Sequence, residues 1–308
     1  QKQVAVLVDG NNLNIKIDDY EFSNDESKIV LLTEKEMIFR RSYTGEYYIY
    51  TVSSKDLKKV SSKGRQSYAS ISPDNKKIAF VRDNNIFFME LGGMFEFPLT
   101  QDGKVGSIIN GSSDWVYEEE FSLTKAFEWS PDGKKIAYLK FDESEVKEYN
   151  LQYWDQGAKY PRDYRYKYPK TGEKNSEVSV HIFNLDTKKK VKVDLGKEED
   201  TYIPRIQWTK NPNLLSIMQL SRLQNKLNVF HADANTGRAL VAFYERAEKY
   251  LDVTETCNLY YLNNNSQFIF STTERDGFNH FYLHNMDGQH VAPITSGTWE
   301  VDKFIGVD

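Results

Sequence analysis

The sequence predicts an all-β protein, a β-propeller of four-stranded antiparallel blades, with about five blades within its 308 residues. Three observations carry this expectation. A turn signature recurs along the chain, a second hairpin follows each copy of it, and aromatic residues reach 14%, with 20 Tyr and 18 Phe. Flat aromatic side chains pack well on a pleated, half-buried surface and favour strands.

The turn signature is an apolar or aromatic residue, then Ser-(Pro)-Asp-x-x-Lys-Ile, then an apolar strand. It opens at Phe22-Ser23-Asn24-Asp25, recurs at Ile71-Ser72-Pro73-Asp74 and again at Trp129-Ser130-Pro131-Asp132. Degenerate copies start at Trp208-Thr209 and Leu262-Asn263. Proline presets φ, and Gly or Asn accepts a positive φ, so each copy reads as a tight hairpin turn. The second hairpins include NNIFFMEL, EVSVHIFNLD, LNVFHADA and HFYLHNMDG, with turns at Asn235-Thr236-Gly237 and Met286-Asp287-Gly288. Leu99-Thr100 and Ile294-Thr295 close their repeats. Four strands per repeat at blade-like length is the propeller pattern.

With serine-equivalent positions at 23, 72, 130, 209 and 263, the spacings are 49, 58, 79 and 54 residues. The 79-residue interval predicts an insertion, assigned to residues 141–174, rich in Tyr and charge and without a helical period. It reads as an extended arm. No Gly/Ser-rich or Pro-rich linker interrupts the chain, so residues 1–308 read as one propeller domain of about five repeats.

The formal net charge of -5, with both signs interspersed, excludes the clustered basic face of a nucleic-acid binder. No stretch approaches the ~20 apolar residues of a membrane span. The opening QKQVAVLVDGNN has too short an apolar run for a signal peptide. The single cysteine, Cys257, cannot form an intrachain disulfide.

Chemistry-bearing patterns are few. No Gly-x-Ser-x-Gly elbow occurs. His181, His231, His280, His284 and His290 all fall on or beside predicted strands; only His280 and His284 are four apart, and on a strand that spacing is too long for a helix-type zinc site, so no metal is expected. Cys257 reads as an inert buried thiol. One segment departs from the repeat: residues 113–121, Ser-Asp-Trp-Val-Tyr-Glu-Glu-Glu-Phe. Asp114 is placed to cap a short helix whose glutamates complement its dipole. Two readings stay open for it. It is a capped, solvated acidic turn, or Trp115 and Tyr117 beside Glu118, Glu119 and Glu120 capture an ammonium group.

The string Asp114-Trp115-Val116-Tyr117-Glu118-Glu119-Glu120 closely resembles the glutamate motif of the dipeptidyl peptidase IV family. So does its context: FRRSYT at 39–44, YPKTGE at 168–173, YIPRIQW at 202–208, RLQN at 222–225 and GTWEV at 297–301. The resemblance covers essentially the whole chain, in order. It implies an eight-bladed propeller joined to an α/β-hydrolase domain, with the active site between them. It implies that Glu119 and Glu120 bind a substrate's free α-amino group. Arg40 is implied to meet the carbonyl of the substrate's second residue, although the family has Trp-Arg-His where this chain has Phe39-Arg40-Arg41. Asp114, Trp115, Tyr117 and Glu118 are implied as supporting residues, and the arm as part of a homodimer contact.

In this family the hydrolase domain follows the propeller. The catalytic Ser, Asp and His are therefore expected outside the chain, and no catalytic residue, cofactor or metal within it. The chain alone is expected to be inactive. The parent is expected to release Xaa-Pro or Xaa-Ala dipeptides from peptides with a free amino terminus, in the periplasm, cell envelope or secreted medium. Two alternatives stand beside this: a related prolyl tripeptidyl or acylaminoacyl peptidase, and a non-catalytic propeller that binds peptides or proteins, since fold alone does not fix function.

Overall fold

A computed structural model describes residues 5–93, 95–197 and 200–307. A single helical turn, α1 (Gly10–Leu13), precedes five sheets that follow one another along the chain. The first holds β1 (Ile17–Phe22), β2 (Lys28–Met37), β3 (Tyr43–Thr51) and β4 (Leu57–Lys59); the second holds β5 (Ser67–Ile71), β6 (Lys77–Arg82), β7 (Asn85–Glu90) and β8 (Phe97–Pro98). β9 (Ile108–Asn110) and a second helix, α2 (Trp115–Phe121), lead into the third sheet. That sheet is β10 (Phe127–Trp129) and β11 (Lys135–Asp142), then β14 (Glu177–Asn184) and β15 (Lys190–Lys192), with β9 paired to the far end of β11. Between β11 and β14 projects a separate two-stranded ribbon, β12 (Glu148–Tyr153) and β13 (Arg162–Lys167). The fourth sheet is β16 (Thr201–Trp208), β17 (Leu214–Ser221), β18 (Lys226–Asp233) and β19 (Ala239–Arg246); the fifth is β20 (Leu259–Tyr261), β21 (Gln267–Thr272), β22 (His280–Asn285) and β23 (His290–Pro293). Within each sheet the four blade strands pair antiparallel in chain order. The molecule is an all-β propeller of four-stranded blades, with the short acidic helix and the extended arm set into it.

The blades stack face to face because their second strands bury both faces. In β6, Ile78 and Phe80 join the core shared with Val30, Leu32 and Ile49 of the first blade. The alternate residues Ala79 and Val81 join Phe127, Trp129 and Tyr138 of the third. A strand with two dry faces loses the polar alternation of an edge sheet and reads as a continuous apolar run, as in KIAFV.

The turn signature acts as a local lock. Ser23, Ser72 and Ser130 each donate to the carboxylate two residues on, at 2.7, 2.5 and 2.6 Å. Each serine oxygen also accepts the backbone N–H five residues on. The left-handed position falls at Glu26, Asn75, Gly133 and Asn265. Gly133 has a second reason: a Cβ there would sit 2.7 Å from the Asp74 carboxylate of the neighbouring blade's turn. In the fifth copy the closing backbone bond runs from Leu262 N to Gln267 O. The serine-equivalent position is thus Leu262, one residue before the expected 263, because the backbone closure, not a side chain, sets the register there.

Neighbouring blades are stitched at the residue before that position. Trp129 Nε1 donates to Ser70 O at 3.2 Å and Trp208 Nε1 to Glu128 O at 3.0 Å. Tyr261 makes the equivalent tie through its hydroxyl to His231 Nε2 at 2.9 Å.

Candidate functional site

The helix that interrupts the repeat is short, so its ends need explicit partners. At the N-terminus the Asp114 side chain accepts from Tyr117 N at 2.9 Å, an N-cap. Its other oxygen accepts from Ser176 Oγ at 2.6 Å. Burial pushes the Asp114 carboxyl up, against these two hydrogen bonds, which hold it down. At the C-terminus Ser122 turns left-handed and Arg205 Nη2 donates to Phe121 O at 2.7 Å.

One face of α2 is core. Val116, Tyr117 and Phe121 are buried against Phe141, Tyr202 and Ile203. Tyr117 is an anchor in its own right, because its hydroxyl accepts the backbone N–H of Ile203, on β16, at 2.8 Å. Trp115 packs against the base of the arm, 4.1 Å from the Tyr168 ring and 6.2 Å from Tyr166. Tyr166 also packs on Phe39, at 5.6 Å.

The three glutamates therefore point three ways. Glu118 is 1% exposed, Glu119 is half-buried and Glu120 is exposed. Glu118 Oε1 accepts the backbone N–H groups of Arg41 at 2.6 Å and Ser42 at 3.0 Å, 77 and 76 residues away in sequence. Arg41 Nη1 returns a bond to Glu118 O at 3.2 Å. Across this contact Arg40 Nε lies 3.4 Å from Glu119 Oε1. The side chains of Arg40 and Glu119 are 70% and 18% exposed, so the pair is open to solvent on the arginine side. The fold thus brings Arg40, on the β2–β3 turn, to the acidic helix from a distant part of the chain.

A cavity of about 550 Å³ is walled by Phe39, Ser42, Asp114, Trp115, Glu143 and Tyr166 among others. Arg40, Glu119 and Glu120 do not line it. Glu143, 7% exposed, has its carboxyl pushed up to about 7, first by burial and then by Asp114.

Four of the histidines, His231 with its tie to Tyr261 among them, are bonded into the blades by their side chains. His181 meets Ser179, His280 meets Thr295 and Gly297 O, and His284 meets Gly288 O and Arg275. Cys257 is buried, with its thiol pushed up to about 12 by burial. Among the described residues no helix is long and apolar enough to cross a membrane.

Sequence reasoning passed over Arg205, Ser176, Tyr166 and Tyr168 as parts of this region. Arg205 and Tyr168 sit in the quoted YIPRIQW and YPKTGE strings, so the signal was present without a role attached.

Comparison with known proteins places these features in a family. The family model for the dipeptidyl peptidase IV (DPP IV) N-terminal region matches residues 23–308. Dipeptidyl peptidase 4 of Trichophyton rubrum is 29% identical over 302 residues, covering 94% of this chain and 38% of that protein. A probable dipeptidyl-aminopeptidase B of Uncinocarpus reesii is 30% identical, covering 91% and 33%. The crystal structure of Porphyromonas gingivalis dipeptidyl peptidase 4 superposes with a TM-score of 0.89 at 38% identity, over 95% of this chain and 41% of that one. The chain thus spans well under half the length of these relatives. With a matched model over nearly all its length and the same fold, the chain belongs to the dipeptidyl peptidase IV N-terminal region family.

Proposed function

We propose that this chain is the substrate-anchoring propeller of a dipeptidyl peptidase, in which Glu119 and Glu120 bind the free α-amino group of a peptide and Arg40 binds a backbone carbonyl just beyond it. The observation that carries the reading is the meeting of Arg40 with Glu119, 3.4 Å apart, on two segments remote in sequence. An α-amine has an ordinary pKa of ~7.7 to 8.0 and stays charged beside carboxylates. Glu119 and the exposed Glu120 offer acceptors to an ammonium ion, and the exposed guanidinium offers donors to a carbonyl.

Pinning the amine converts binding into measurement. Extended peptide advances ~3.3 to 3.6 Å per residue. A nucleophile held about two residues from the glutamates reaches only the second peptide bond, so the product is a dipeptide. Positioning of this kind lowers the barrier by fixing geometry before reaction. The nucleophile belongs to an α/β-hydrolase domain of the parent protein. The arm, with Tyr153, Trp154 and Tyr160 exposed, supports a homodimer contact of the parent. The buried thiol of Cys257 suits an envelope or secreted setting, where an accessible one invites oxidation.

The test is Glu119→Ala and Glu120→Ala in the full-length protein. Truncating one partner of a desolvated charge pair costs ~2 to 5 kcal/mol, which is on the order of 10² or more in kcat/KM on an Xaa-Pro chromogenic substrate. A loss below threefold in both variants refutes the anchoring role and leaves a propeller with another binding function.

A further inference from the structure

We propose that Glu118 is a positioning residue that acts through Arg40, setting the distance between the arginine and the Glu119–Glu120 pair. This rests on the anchoring function above and adds to it a residue that never meets the substrate.

A carboxylate that is 1% exposed is costly unless its lone pairs are filled. Glu118 meets that cost through Oε1, which accepts from the N–H groups of Arg41 and Ser42, the two residues directly after Arg40. Charge-assisted bonds to backbone N–H groups are short and strong, and the 2.6 Å bond to Arg41 is of that kind. The turn itself is closed by Ile38 N to Ser42 O at 2.8 Å and by Phe39 N to Ser42 Oγ at 3.3 Å. The turn is therefore a small rigid unit, and Glu118 fastens that unit to the helix that carries the other two glutamates.

Arg40 itself has no such fixation. Its side chain is 70% exposed and, among the described residues, it pairs with Glu119, so a bound ammonium competes for that carboxylate. A long, exposed arginine has many rotamers open to it, and its guanidinium stays in register only if its backbone is held. Glu118 supplies that hold. The three consecutive glutamates divide the work by helical rotation: the inward one fixes the turn, the half-buried one faces Arg40, and the exposed one completes the amine site.

A double-mutant cycle in the full-length protein tests this. Glu118→Gln keeps the size and loses the charge that strengthens both amide bonds. It is expected to lower kcat/KM by about tenfold when Arg40 is present and by less than twofold in an Arg40→Ala background. Equal losses in the two backgrounds overturn the proposal, as does no loss in either. Amide hydrogen exchange at Arg41 and Ser42 is expected to speed up at least tenfold in Glu118→Gln; unchanged protection also overturns it. Glu118→Asp, whose shorter stem cannot span to both amides, covers the case in which the glutamine variant does not fold, with the same split expected. The exchange readout needs no turnover. If Glu119→Ala and Glu120→Ala prove silent, the anchoring function fails while the tie between Glu118 and the turn is still measured.

Discussion

Glu143 sets a stability cost whose pH dependence is worked directly from its surroundings. It follows β11 at the root of the arm, and its backbone N–H donates to Ser107 O at 2.7 Å. Its carboxyl is pushed from 4.5 up to about 7: burial first, then the Asp114 carboxylate and, less, Asp142, against Lys167 and the Gly106 N–H. In the window between 4.5 and about 7 the folded state holds a proton that the unfolded state has lost. Stability therefore falls as pH rises through that window and is flat above it. At ~1.4 kcal/mol per pH unit the full interval is worth about 3 kcal/mol, and relaxation or water entry leaves ~1 to 3. Glu143→Gln is close in shape to the protonated acid and never ionises. It is expected to match the wild type near pH 4.5 and to exceed it by ~1 to 3 kcal/mol at pH 8. The assay is urea unfolding of both proteins at the two pH values, comparing midpoints at constant slope. Other titrating groups cancel in the difference. A stability gap that does not change with pH, or a variant weaker than wild type at pH 8, refutes the reasoning.

Two further outcomes follow from buried partners. Tyr117→Phe removes the acceptor of the Ile203 N–H and little else, so it is expected to destabilise by ~1 to 3 kcal/mol and to raise amide exchange at Ile203; a change below 0.5 kcal/mol by urea midpoint counts against that bond. Burial holds His231 down at about 4, so the folded state binds fewer protons than the unfolded one between about 6.5 and 4, and its contribution is lost as pH falls through that range. His231→Gln retains a partner for Tyr261 and cannot titrate, so its melting temperature is expected to fall less than that of the wild type between pH 7 and pH 4.5; an equal fall sinks the argument.

The blades were legible because what defines them is local. Ser72 reaches Asp74 two residues on and the Lys77 N–H five residues on, so the chemistry of the turn is written in six consecutive letters. Where the letters change, the acceptor persists. Thr209 Oγ1 takes the Asn211 N–H, and Asn264 Oδ1 takes the N–H groups of Ser266 and Gln267. That substitution of acceptor makes the last two copies degenerate as letters, and it shifts the fifth one residue earlier than its asparagines suggest. The capped helix was legible for the same reason, since Asp114 meets Tyr117 three residues away.

What holds the helix in place was not legible, and the reason is separation in sequence. Tyr117 meets Ile203 across 86 residues, Arg205 meets Phe121 across 84, and Glu118 meets Arg41 across 77. Each contact pairs a side chain with a backbone group, and a backbone group has no residue type to search for. Charge counting is misled in the same way: three consecutive glutamates look alike as letters, yet one is 1% exposed and bonded to two backbone N–H groups while the next faces an arginine. A helix turns ~100° per residue, so neighbours in sequence face different surroundings. An acidic triplet on a pinned helix is therefore not one site repeated three times. The pinning decides which carboxylate is structural and which are free to meet a ligand, and the burial order from Glu118 to Glu120 follows from where Tyr117 and Phe121 must go.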